Sequence, residues 1–218
     1  MDILEKPTDK LLDKYIFKFQ NDKRYEPADK AIINLFSAFP KNKKLEDILL
    51  KISVINDLYS TNILGTFRMA EHIQNLNIDD QLKEGNPEVV NKIAKGHGIR
   101  TKKNNKELYF YSFATKYCNW HNQKSYAIYD SFVEKVLMAY KRQDKFLKFT
   151  NDDLRDFVKF KKIIKGFAEH YELKRHNLKE IDKFLWIYGK EKFPTNYEKK
   201  NKNAPQQRTE VKTKHFLH

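Results

Sequence analysis

The sequence predicts an all-α protein, and three observations carry that expectation. Apolar residues recur every three to four positions through most of the chain. No stretch alternates with period two for long enough to form a sheet strand. Only six Gly and six Pro fall in 218 residues, too few for a turn-rich β architecture. A hydrophobic content of 40% and an aromatic content of 14% place the chain among globular proteins able to bury a core. One globular helical unit is expected over 1–193, with a central part over 45–140 flanked by N- and C-terminal helices.

The first helix is expected over 10–20, where Leu11, Leu12, Tyr15, Ile16 and Phe19 share helical spacing. Pro27 suits a first turn, and a largely buried helix follows over 28–39. Pro40 and KNKK (41–44) mark a loop. The next periodic run spans 45–63, through Ile48, Leu49, Ile52, Ile55, Leu58 and Tyr59. Ser60, Thr61 and Asn62 break it, because their side chains compete for backbone hydrogen bonds. Spacing resumes over 63–76 through Phe67, Ala70 and Ile73. After a turn at Gly85-Asn86-Pro87, a helix runs from Pro87 to Lys95 and stops at Gly96.

A polar, basic loop (96–108) leads into the central stretch Phe110 to Tyr140: a helix, a break at His121-Asn122, the apolar Tyr126-Ala127-Ile128-Tyr129, then Asp130 and a second helix over 131–140. A helix is expected over 152–172, capped by Thr150 or Asn151 with Asp152 and Asp153 in its first turn. The last is expected over 177–193, with Ile181, Phe184, Leu185 and Tyr188 on one face. From Pro194 to His218 the composition turns basic and poor in apolar residues, so a mobile tail is expected.

Lys and Arg number 43 against 29 acids, a formal charge of +14 and a pI near 9.5. That surplus points to a polyanion, with nucleic acid as the first candidate, although a solvated basic surface would give the same count. The lone Cys118 excludes an internal disulfide, a multi-thiolate zinc site and a four-Cys cluster, and it suits a reducing cytosol. The N-terminus carries no apolar export segment, and no run approaches a membrane span. His72 and His97 have no partners at ligand spacing, so neither metal nor cofactor is expected.

Asp130 is the candidate functional acid. Ser131 and Glu134 have capping-box spacing, yet Asp130 can itself be the N-cap. Either way the carboxylate sits at the positive end of a helix, behind an apolar tetrapeptide that limits water. An acid so held can stabilise the oxocarbenium-like state of glycosidic cleavage. A plain helix cap is the competing reading.

YAIYDSFVEKVLMAY resembles the segment after the hairpin in the helix-hairpin-helix DNA glycosylases, of the endonuclease-III and adenine-mismatch group, and INDLYSTNILGTFRMAEHI (55–73) is similar to that family's early helix, loop and helix. The resemblance covers about 45–145 in the family's order. It implies two closely packed helical subdomains with the active cleft between them, and a DNA glycosylase that flips out and excises a damaged, mismatched or modified base. Asp130 falls on the catalytic Asp. Ser112 falls where bifunctional members carry a Schiff-base lysine, which implies a monofunctional enzyme. Lys116, one turn further on, could be a displaced nucleophile, a phosphate contact or an exposed helix lysine. The hairpin departs from the family's pattern: its only candidate is Gly96-His97-Gly98-Ile99, and the iron–sulfur ligands are absent.

On this resemblance Asn62, with Thr61, fills the gap left by the flipped base, while His97, Gly98, Lys102, Lys103 and Lys106 hold phosphates. Tyr111, Trp120, His121, Tyr126 and Trp186 are candidate walls for the base, each with core packing as the alternative. Cys118 is expected to be buried packing. A monomer bound to double-stranded DNA in the cytoplasm, at the nucleoid, is the implied setting. A non-catalytic helical DNA- or RNA-binding module and a protein-interaction domain are the rival functions.

Overall fold

Ten helices form the described part of the computed structural model, residues 3–100 and 105–194, with the His97 side chain left aside. They are α1 (Asp9–Gln20), α2 (Tyr25–Ala38), α3 (Leu45–Tyr59), α4 (Thr66–Leu76), α5 (Asp79–Glu84), α6 (Glu88–Ala94), α7 (Tyr111–His121), α8 (Ser131–Asp144), α9 (Phe157–His170) and α10 (Leu178–Lys192). No strand occurs among the described residues, only an isolated antiparallel bridge between Arg100 and Glu107. No helix there is long and apolar enough to cross a membrane. The basic segment expected from 194 onward lies outside the described residues beyond Pro194.

The expected elements are present, and their ends follow local chemistry. The run over 45–63 stops at Tyr59 because Ser60 turns left-handed (φ 49°) and Asn56 reaches forward to the loop. Its amide donates to the Ile63 carbonyl at 3.2 Å, and its carbonyl accepts from Thr61 Oγ1 at 2.9 Å and the Ile63 amide at 2.8 Å. The helix expected over 152–172 is divided. Asp153–Arg155 forms a single 3-10 turn, and α9 starts only after Asp156, which caps it by accepting from Lys159 N at 3.1 Å. A capping box does occur, at Asn177 and Glu180 of α10 rather than at Ser131 and Glu134. Glu134 instead accepts from the Tyr129 hydroxyl and from Asn151 Nδ2.

The loop after α6 is less open than expected. Gly96 (φ +55°) sits where a Cβ would strike the Phe110 ring at 2.7 Å, so only glycine fits this corner. Beyond it the two arms return on each other, with Leu108 N donating to Ile99 O at 2.9 Å and Phe110 N to Ala94 O at 2.7 Å.

Two groups of helices meet across the molecule. In one, α3 packs on α4 and α7, and α6 on α7; in the other, α10 lies between α1 and α8. The buried apolar residues of both groups join in a single cluster. The α8–α10 crossing is close because Gly189 has no side chain. A Cβ there would lie 2.9 Å from both the Phe132 carbonyl oxygen and Val136 Cγ2. Gly166 of α9 faces only the mobile end of Leu147, at 3.3 Å.

These two glycines therefore separate crowding from helix propensity. In urea denaturation, Gly189→Val should cost about 2 kcal/mol or more by overpacking. Gly166→Ala should stay within about 1 kcal/mol of wild type, on the stable side if Leu147 yields. Equal costs at both positions would contradict the close α8–α10 approach.

Candidate active site

The site begins with a length of chain that belongs to no helix. Residues 126–130 are extended between α7 and α8 and run through the interior, so their backbone groups need partners other than water. Helix α7 supplies them from one face, with Ser112, Thr115, Lys116 and Asn119 at i, i+3, i+4 and i+7. Asn119 Nδ2 donates to Tyr126 O at 2.6 Å. Thr115 Oγ1 accepts from Tyr129 N at 3.1 Å, and Tyr129 O accepts from Ser112 Oγ at 3.1 Å and Lys116 Nζ at 3.3 Å. From the other side, Ile128 N donates to Asp182 Oδ2 of α10 at 3.0 Å. Thr115, Lys116, Asn119 and Asp182 are all buried, which is otherwise unusual for these residue types.

The strap ends in Asp130. Its backbone is extended (φ −150°, ψ 178°), and Oδ1 accepts from Phe132 N and Val133 N, each at 2.9 Å. It is thus the N-cap of α8, closing the question left by Ser131 and Glu134. Oδ2 takes no hydrogen bond from the described residues. Extended chain places alternate residues on one side, and Ile128 and Asp130 both line a cavity of about 170 Å³ between the two helix groups.

Aromatic rings form much of the cavity wall: Phe19, Tyr25, Tyr59, Trp120 and Trp186. Trp186 meets Tyr25 edge-on at 4.9 Å. The Lys179 ammonium lies 4.0 Å from the Trp120 ring centroid and 3.6 Å from Asp29 Oδ1, while Lys183 donates to Asp29 Oδ2 at 2.9 Å. Burial lowers Lys179 to about 8 against the pull of Asp29. Burial also raises the Tyr59 phenol, with Asp29 adding to it, so that hydroxyl stays neutral at neutral pH. Asp182 is raised well above the carboxylate range, by burial first and then by Asp130.

Of the expected wall residues, Trp120 and Trp186 line this cavity and three do not. Tyr126 is fully buried and points its hydroxyl at the carbonyls of Gln81 and Asn86, away from the cavity that Ile128 and Asp130 line. Tyr111 packs between Tyr109 and Tyr129. His121 joins a separate cluster: Lys51 Nζ, buried in α3, lies 3.4 Å from His121 Nε2 and donates to Asn42 Oδ1 at 2.7 Å and to the carbonyls of Phe39 and Lys41. Burial and that ammonium drive His121 down to about 3, so it is neutral.

Lys116 is not an exposed helix lysine. Only 3% exposed, it donates to Ser112 Oγ at 2.6 Å and lies 5.5 Å from the Tyr59 ring centroid, and burial lowers it while Asp130 raises it. Ser112 and Lys116 are therefore brought together behind Asp130. Cys118 is fully buried, which raises its thiol well above the usual range. Thr61 is held by Asn56, whereas Asn62 (φ 58°) is exposed on the α3–α4 loop, which starts at the cavity-lining Tyr59. Gly98 (φ 68°) is open and exposed, and Lys106 is exposed; Lys102, Lys103 and the His97 side chain lie outside the described residues.

Sequence reasoning missed Asp182, Tyr59, Lys179 and Leu64. The signal for Asp182 was present: Asp182, Leu185 and Gly189 share helical spacing, so an acid sits on a buried face. Leu64, 92% exposed on the same loop as Asn62, reads as unremarkable until that loop is seen to follow the cavity-lining Tyr59.

The raised Asp182 carboxyl has a consequence for stability. Above about pH 4 the unfolded chain gives up a proton that the native chain keeps, so stability falls as pH rises toward the native value. Asp182→Asn removes this dependence. Thermal melts should find the variant's advantage over wild type larger at pH 7 than at pH 4, and a gap that does not widen would contradict the buried neutral acid.

Residues 11–125 match the family model HI_0787_N, described as an N-terminal domain; the match spans α1 to α7 and ends before Asp130. An uncharacterized protein of Haemophilus influenzae (strain ATCC 51907 / DSM 11121 / KW20 / Rd) is 42% identical over 151 residues, covering 69% of this chain and 70% of its own. No solved structure matches the chain. On these matches the chain belongs to the HI_0787_N family.

Proposed function

We propose that this protein is a monofunctional DNA glycosylase that flips a base out of double-stranded DNA and cleaves its N-glycosidic bond. The observation that carries the reading is Asp130 capping α8 with one carboxylate oxygen while it lines an aromatic cavity. The cavity's size supports it. An apolar cavity of roughly 150 Å³ accepts a benzene ring, and this one, at about 170 Å³, suits a flat heterocycle better than a whole nucleotide.

Extruding a base costs a few kcal/mol of unstacking, which filling the gap and gripping the backbone offset. Asn62 and Leu64 are exposed on the loop that follows the cavity-lining Tyr59, and Leu64 is the apolar wedge that such an exchange uses. Gly98 and Lys106 are exposed candidates for phosphate contacts, within a chain of formal charge +14. With the base between the tryptophans, Asp130 stabilises the positive charge that develops on the sugar, or activates water at C1′. Ser112 cannot form a Schiff base, and Lys116 is committed to Ser112 and the Tyr129 carbonyl, so the product is an abasic site in an uncut strand.

An abasic-site assay on duplexes with single deoxyuridine, deoxyinosine or 7-methyldeoxyguanosine residues tests this. Wild type should give strand breaks only after alkali, and Asp130→Asn should lower the rate by about 10³-fold. Leu64→Ala should lose DNA binding and excision together. Salt-dependent DNA binding with no product from wild type would favour a non-catalytic nucleic-acid module instead.

A further inference from the structure

One buried polar atom at the cavity lacks a partner among the described residues, Asp182 Oδ1, whereas the Trp120 indole N–H has the Tyr59 hydroxyl as its partner. Asp182 is 5% exposed and Trp120 6%. Buried polar groups are rarely left unpaired, and one on a cavity wall marks where a ligand supplies the missing partner. Asp182 is also fixed in place, since Oδ2 already accepts from Ile128 N at 3.0 Å within the strap that positions Asp130.

The charges facing Asp182 decide its form. Asp130 lines the same cavity and adds to the rise of the Asp182 carboxyl. Lys179 would favour one, but it is stacked over Trp120 and paired with Asp29, as is Lys183. Burial dominates, so the carboxyl is held neutral well above the range in which an aspartate ordinarily ionises. Two acids in one cavity with different environments, one buried and one capping a helix, form the pattern that separates a proton donor from a charge stabiliser.

We infer that Asp182 donates the proton of its carboxyl group to an acceptor on a neutral nitrogen heterocycle held beside Trp120, and thereby protonates the departing base. This rests on the base-excision reading for the transfer itself, though not for binding of the heterocycle. As the C1′–N bond breaks, its electron pair stays on the base, and the Asp182 proton neutralises the charge developing there. Water adds its oxygen to C1′ and loses a proton through Asp130 to solvent. Asp182 then regains a proton from solvent, so the net change is hydrolysis to free base and abasic sugar. The substrate class follows: the acid matters for a neutral base, and not for an N-alkylated base that is already cationic.

Two readouts keep binding and chemistry apart. Titration with free hypoxanthine and adenine, followed by quenching of tryptophan fluorescence, should show wild type and Asp182→Asn binding alike, since Asn keeps a donor. Asp182→Leu should bind about tenfold more weakly. In the abasic-site assay Asp182→Asn should lose about 10²-fold on deoxyinosine and lose the fall in rate that wild type shows at alkaline pH. Its excision of 7-methylguanine should be almost unchanged. Tight binding by Asp182→Leu, no quenching by either base, or an Asp182→Asn enzyme that keeps both rate and alkaline limb would overturn the inference. If wild type excises nothing while the free bases still bind through residue 182, base excision falls and the heterocycle site stands.

Discussion

The hydrogen-bond strap between α7 and residues 126–129 is the interaction on which the rest of the site depends. Extended backbone inside a protein must have its amides and carbonyls paired, and leaving one unpaired costs about 1–3 kcal/mol. Ser112, Thr115, Lys116 and Asn119 meet that need from one helix face, and Asp182 completes it from α10. The same bonds fix where α8 starts, and hence where the Asp130 carboxylate stands. A side chain that looks like part of a reaction, such as buried Lys116, is first a support for the chain that carries the acid.

Holding the cavity open has an energetic cost that the surroundings offset. Asp182 carries an unpaired buried oxygen and a carboxyl that burial keeps neutral, each a departure from the most stable arrangement. Dense aromatic packing of α1 and α8 against α10, through Tyr15, Tyr140, Phe184 and Tyr188, compensates on the far side of the same helices. A second polar centre, with Lys51 satisfied by two carbonyls and Asn42, ties α3 to the α2–α3 loop, and Tyr117 of α7 donates to the same Asn42. Rigid helices on both sides thus hold the acids at fixed positions, as a site for chemistry on a flat ligand requires.

Helices were legible in the sequence because their apolar spacing is local, and Asp130 because its position at a helix start is local too. Tyr111, His121 and Tyr126 were misplaced for the complementary reason: which way a ring faces depends on long-range packing. Tyr126 turns to the Gln81 carbonyl of α5, and His121 turns to a lysine seventy residues earlier in the chain. Asp182 was overlooked because its neighbours Ile181, Phe184 and Leu185 read as core, and an acid on that face had no visible partner. Trp186, in a segment with no role assigned from sequence, reaches the cavity only because Gly189 lets α10 lie close on α8.

The most direct measurement is a crystal structure of the Asp130→Asn protein bound to a duplex carrying a single deoxyinosine. Base excision in this cavity predicts one extrahelical nucleotide, its base beside Trp120 and Trp186, its acceptor edge on Asp182, and its sugar against residue 130, with Leu64 in the vacated stack. A duplex seated on another face with its bases all stacked, and the cavity between α7 and α10 empty, would contradict it.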